Sequence, residues 1–152
     1  MTKEQWADIQ ERVGLMLSDV NLVCDGYLVK PHVERSGMKL AIAVYVNGYI
    51  RGSDMWFGKE NEIENMGEVA RKFHHWIKRR MPAKKMKQYE AIFGKRECKK
   101  RGYHLAHVST RPYFPSAKAF VSHIKKHCET VEEISGEDYC QRLSALEVSD
   151  AT

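Results

Sequence analysis

The sequence has no apolar run near the roughly 18 residues that a membrane-spanning helix needs. Its start, Met1-Thr2-Lys3-Glu4-Gln5, lacks the apolar stretch of a secretory signal. Neither a membrane partner nor export is expected, and a cytoplasmic protein is. Cysteine is sparse and scattered: Cys24, Cys98, Cys128 and Cys140 form no C-x-x-C pair. In a cytosolic protein they read as reduced thiols, and a disulfide would require two of them to meet in space. There is no Gly-rich phosphate loop and no G-x-S-x-G elbow, so nucleotide hydrolysis and acyl transfer lose their usual signatures. Low-complexity tracts and internal repeats are absent as well. What remains is an ordinary globular composition, 43% hydrophobic and 30% charged over 152 residues, long enough to bury a core as one domain spanning 1–152.

One feature is not ordinary. The 41 residues from Arg71 to Arg111 hold 14 Lys or Arg and only two acids, Glu90 and Glu97, for a formal charge of +12. The rest of the chain, with 11 basic and 18 acidic residues, sums to −7. Residues 129–152 carry seven of those acids and a single Arg, and read as an acidic end that can stay mobile. Such asymmetry says little about fold and much about partners: it points to a polyanion.

The periodicity predicts an α+β fold. An antiparallel three- to four-stranded sheet, a meander with an Asn47-Gly48 hairpin, should be packed by about five helices. A first helix is expected from Thr2 to Ser18, opened by a Thr2/Gln5 capping box. Val20 to Lys30 reads as a strand bulged at Asp25-Gly26, and Pro31 to Gly37 as a turn. Met38 to Val46 alternates, with Leu40, Ile42, Val44 and Val46 on one face. Asn47-Gly48 should fold it back onto a return strand, Tyr49 to Phe57. From Glu60 to Met81 apolar residues recur at the helical period. That helix would turn Arg71, Lys72, His75, Lys78 and Arg79 outward. Pro82 should end it, and a second helix, Ala83 to Phe93, stopped by Gly94, would show Lys84 and Lys85. The run from Lys95 to Arg101 then adds Lys95, Arg96, Lys99, Lys100 and Arg101. A strand from Tyr103 to Arg111, a helix from Ser116 to Val131 and a helix from Gly136 to Leu146 complete the expectation.

Three constellations bear on chemistry. Phe114, Phe120, His123 and His127 have a spacing similar to the helical half of a two-Cys, two-His zinc finger. The positions where that pattern needs Cys are His107 and Thr110, and Thr does not bind zinc, so no metal is expected. Glu97-Cys98-Lys99 matches the E-x-K fragment of metal-dependent nucleases, but only Asp54 offers a second acid. His74-His75 and His104/His107 have no nucleophile context. The sequence therefore predicts no cofactor and no enzyme. It predicts a nucleic-acid-binding accessory protein, DNA or RNA, whose face at residues 71–101 contacts mainly phosphates with weak sequence specificity. Among the aromatics, Tyr103 and Tyr113 stand nearest the cations and are candidates for base stacking. The alternative is a protein-binding or inhibitory module that docks on an acidic face, or in the nucleic-acid channel, of a larger machine.

Overall fold

The structure, a computed structural model, describes residues 1–17 and 19–151. Helix α1 (Lys3–Val13) begins at the expected capping box: the Thr2 hydroxyl accepts from the Gln5 amide at 3.2 Å, and the Gln5 side chain accepts from the Thr2 amide at 2.8 Å. It ends at Gly14, four residues early, so Met16 and Leu17 are exposed rather than part of its apolar stripe. Ser18, its expected end, lies outside the described residues.

The expected bulge is a hairpin. Strands β1 (Asn21–Cys24) and β2 (Tyr27–Ser36) are joined by Asp25-Gly26, whose φ values of +49° and +88° suit a type I′ turn. The expected turn from Pro31 to Gly37 is strand instead. Pro31 lies beyond Val29, the last β2 residue paired with β1, so the amide hydrogen it lacks is not required there. The chain reverses only at Gly37-Met38 into β3 (Lys39–Val46). Asn47-Gly48 forms the tight turn, with φ of +51° and +86° and one Val46–Tyr49 bridge. The return strand does not form. The chain leaves through a 3₁₀ turn at Gly52–Asp54, and the far edge of β3 is taken by β7 (Tyr113–Phe114).

The largest correction concerns residues 60–81. The helical period holds through Met66, Ala70 and Phe73, all buried. The backbone nevertheless breaks into a 3₁₀ stretch (Glu60–Asn65), a short helix α2 (Glu68–Phe73) and strand β5 (His75–Arg79). His75-Trp76-Ile77 suits a strand, and here it finds a partner to hydrogen-bond; tertiary pairing overrides a pattern that also fits a helix. Strand β4 (Phe57–Lys59) precedes it. Helix α3 (Ala83–Phe93) matches expectation in span and in its Gly94 stop. Helix α4 (Lys95–Lys100) follows, and β6 (His107–Arg111) is shorter than expected. Helix α5 (Ala117–His127) is capped by Ser116. It stops at His127, short of the expected Val131, and that residue instead opens a strand, β8 (Val131–Ile134), which leads into α6 (Gly136–Ala151).

In place of one sheet there are two, both antiparallel: β7-β3-β2-β1-β8 and β4-β6-β5. Six α-helices and two 3₁₀ segments accompany them among the described residues. The main core lies between the Ile42/Val44/Val46 face of the larger sheet and α1, α2 and α5, and includes Phe73, Phe114 and Phe120. On the opposite face α6 covers Leu28 with Tyr139 and Leu143. The smaller sheet buries its inner face, with Val108 and Trp76, against Met66 and Ala70. Its outer face is partly exposed, most of all at Phe57, Arg79, His107 and Arg111.

Candidate nucleic-acid interface

Register decides what that outer face presents. In antiparallel pairs, directly opposed residues point to the same side. β6 is the centre strand, and the pairings give three rows: His75 opposite Arg111; Ile77, Ser109 and Phe57; Arg79, His107 and Lys59. These eight positions hold three cations, two imidazoles and no carboxylate. Phe57, Arg79, His107 and Arg111 are exposed. The rings of Phe57 and His107 lie parallel, with 8° between planes and 5.9 Å between centroids. His75 packs against Phe114, and burial lowers its pKa below the ordinary imidazole value.

Two hollows cross this face. One of about 390 Å³ runs past Phe57, Arg79 and His107; another of about 520 Å³ continues past His75 and Tyr113 towards Lys39. They share Met55 and Arg111, and no Asp or Glu lines either. Three other hollows of the molecule each include a carboxylate: Glu34, Asp54 with Glu147, and Asp54 with Glu68.

The cations named from the sequence do not form one helical face. His75 and Arg79 belong to the outer sheet face, while Lys78, one residue between, takes the opposite side of β5. Arg71 is exposed on α2, with its guanidinium donating to the Met66 carbonyl at 3.2 Å. Lys72 is engaged: its ammonium lies 2.7 Å from Asp25 and 3.1 Å from Glu68. The hydrogen bond to Asp25 drives its pKa well above the ordinary lysine value. Lys84 and Lys85 are exposed on α3, and Lys95, Arg96, Lys99 and Lys100 on α4. Arg101 ends α4, pairs with Glu97 at 3.1 Å and lies 4.4 Å over the Phe93 ring. The two basic surfaces meet at Lys59, whose ammonium donates to the Arg101 carbonyl at 3.2 Å. A cation there also suits the negative end of a helix dipole.

The other constellations read as architecture. His123 and His127 do come together, with ring centroids 4.2 Å apart beside Trp76. The His123 ring nitrogen Nε2 donates to the Arg71 carbonyl at 3.0 Å. Burial first, then the neighbouring His127, lowers His123 to about 4. No group of three or more His, Cys, Asp or Glu able to hold a metal ion occurs among the described residues. Glu97 faces Arg101 and Cys98 is buried. His74 is buried with Nδ1 3.3 Å from the Thr110 hydroxyl, which also accepts from the Trp56 amide at 2.8 Å.

The residues that sequence reasoning missed are Lys59, Arg111, Phe57 and His107. A signal for them exists in hindsight. Met55-x-Phe57-x-Lys59, His75-x-Ile77-x-Arg79 and His107-x-Ser109-x-Arg111 share a two-residue period that ends on a cation. Tyr113 lines the larger hollow as a neighbour of Arg111, whereas Tyr103 packs on Tyr89 at 5.3 Å. Comparison of the chain and its fold with protein-family models, curated proteins and solved structures returned no match.

Proposed function

We propose that this chain is a non-enzymatic nucleic-acid-binding accessory protein of the cytoplasm. It holds a polyanion on the outer face of the β4-β6-β5 sheet and on the adjoining α4. The observation that carries the reading is the sign of that surface. Lys59, Arg79 and Arg111 stand on it without a carboxylate, and at Lys59 it joins the cations of α4. A phosphate backbone suits such a surface because each neutralised phosphate releases a condensed counterion. Contacts of this kind position a strand without reading its sequence, so affinity should vary little between unrelated sequences.

Anisotropy titrations of labelled oligonucleotides across a salt series test this. With ~4–6 phosphates engaged, log affinity should fall against log salt with a slope of about −3 to −5. Replacing Arg79 and Arg111 together by Ala should flatten that slope by up to about two and leave melting unchanged within a degree or two, since both side chains are exposed. Absence of any complex at low salt and micromolar protein removes the reading. The cations would then be assigned to an acidic protein surface, to be sought as a stoichiometric complex free of nucleic acid.

A further inference from the structure

We infer that the occupant of this face is a single strand, DNA or RNA, and that one of its bases stacks on Phe57 beside His107. The inference rests on the nucleic-acid reading above and goes further, because it names the form of the ligand and a residue that touches a base. Phe57 is 73% exposed, while Phe73, Phe114 and Phe120 are essentially fully buried. A ring of that size left in water on a packed sheet forgoes the stabilisation that burial brings to its counterparts. Its position is also defined. It stands on a paired strand opposite the small Ser109 and parallel to the His107 imidazole at 8°. Arg79 and Arg111 flank it in the neighbouring rows.

Rings set flat among cations are the two components of single-strand binding: stacking platforms for bases and charges for the backbone. In a duplex the bases are already stacked on one another and paired, so such a platform has nothing to take without unpairing them. The two adjacent hollows, which share Met55 and Arg111, mark a path for the strand towards Tyr113 and Lys39. An acidic peptide would use the cations and would engage the two parallel rings only where it also carried an apolar or aromatic residue. Stacking tolerates any base, in keeping with the weak sequence preference proposed above.

The test compares labelled 15-mers of oligo-dT and oligo-rU with a 15-base-pair duplex, using wild type, Phe57→Ala, Phe57→Trp and Arg79→Ala/Arg111→Ala. The single strands should bind at least tenfold more tightly than the duplex. The dT and rU arms show which sugar is preferred, and either preference supports the proposal. Phe57→Ala should weaken single-strand binding roughly 5- to 100-fold, the equivalent of one stacked base. The same variant should keep the wild-type salt slope, because no phosphate contact is removed. Phe57→Trp should restore affinity, and its indole fluorescence should be quenched on binding. Circular dichroism and melting of each variant verify folding. If oligonucleotides bind with the expected salt slope but Phe57→Ala matches wild type, or the duplex is preferred, the stacking inference is overturned and the phosphate reading stands. If no oligonucleotide binds, both fall.

Discussion

Replacing Asp25 separates charge from backbone at the joint that ties three parts of the chain together. Its carboxylate is 2.7 Å from Lys72 on α2, accepts from the Glu129 and Thr130 amides at 3.1 and 2.8 Å, and accepts from the Thr130 hydroxyl at 3.0 Å. Its own backbone has a φ of +49° in the β1–β2 turn. Asp25→Asn keeps the shape and a residue type tolerated at positive φ, and removes the charge. Lys72 retains Glu68 at 3.1 Å, so the expected loss is below that of a fully stranded buried ion, about 2 kcal/mol. Asp25→Ala also loses every acceptor and adds a left-handed backbone penalty, for about 4 kcal/mol in all. Urea unfolding followed by tryptophan fluorescence measures both; for a chain of this length the Asn variant should melt roughly 4–8 °C lower. The pH dependence provides a second, independent reading. The Lys72 hydrogen bond, assisted by the two amides, holds the Asp25 carboxyl well below the ordinary carboxylate range. With the folded value under the unfolded one of about 3.9, the stabilisation is complete from about pH 5 upward and fades as pH falls through 4 towards the folded value. The gap between wild type and Asp25→Asn should therefore be constant at pH 5–8 and shrink in acid. Equal urea midpoints at pH 7, or a gap that widens on acidification, would refute the reasoning.

Two further outcomes follow from local geometry. Gly48→Ala should cost about 1–3 kcal/mol, because the site has a φ of +86° and the new Cβ would meet the Leu143 Cδ1 at 2.8 Å; a thermal melt within one degree of wild type contradicts this. His123 should show an imidazole midpoint near 4 by two-dimensional NMR. Since that lies below the unfolded value of about 6.5, stability should drop on the order of 2 kcal/mol as pH falls from 6.5 to 4; an ordinary midpoint overturns it.

Caps and the Asn47-Gly48 turn were legible in the sequence because they depend on a few adjacent residues, whereas the Asp25-Gly26 turn reads from the sequence as a bulge. The Thr2/Gln5 box, the Ser116 cap, the Asn47-Gly48 turn and the Pro82–Gly94 bounds of α3 each follow from local chemistry. β5 was not legible, because Trp76 and Ile77 extend the helical stripe of Phe73 as well as they begin an alternation. Only the presence of β6 decides between them. β8 was hidden for a related reason: Val-Glu-Glu-Ile resembles the frayed end of α5 until β1 is there to pair with it. The candidate site divides in the same way. Its charge could be counted along the chain. Its platform could not, since Phe57 and His107 lie fifty residues apart and share a face only through the β4–β6 register.

The order of strands has a consequence for how the chain acquires its structure. β1 is paired on one side with its immediate neighbour and on the other with β8, more than a hundred residues later. β7 returns to Ile42 and Ala43 after the whole smaller sheet has been made. The segment from β4 to β6 is thus an excursion that leaves β3 and comes back to it. Contacts of such long sequence separation close late and slowly. During synthesis the basic segment emerges before the strands that complete the larger sheet, so for an interval its cations precede the frame that aims them. The excursion also begins and ends on one strand of that frame. Within it, α2 anchors the excursion to that frame, with Phe73 in the main core and Lys72 on Asp25.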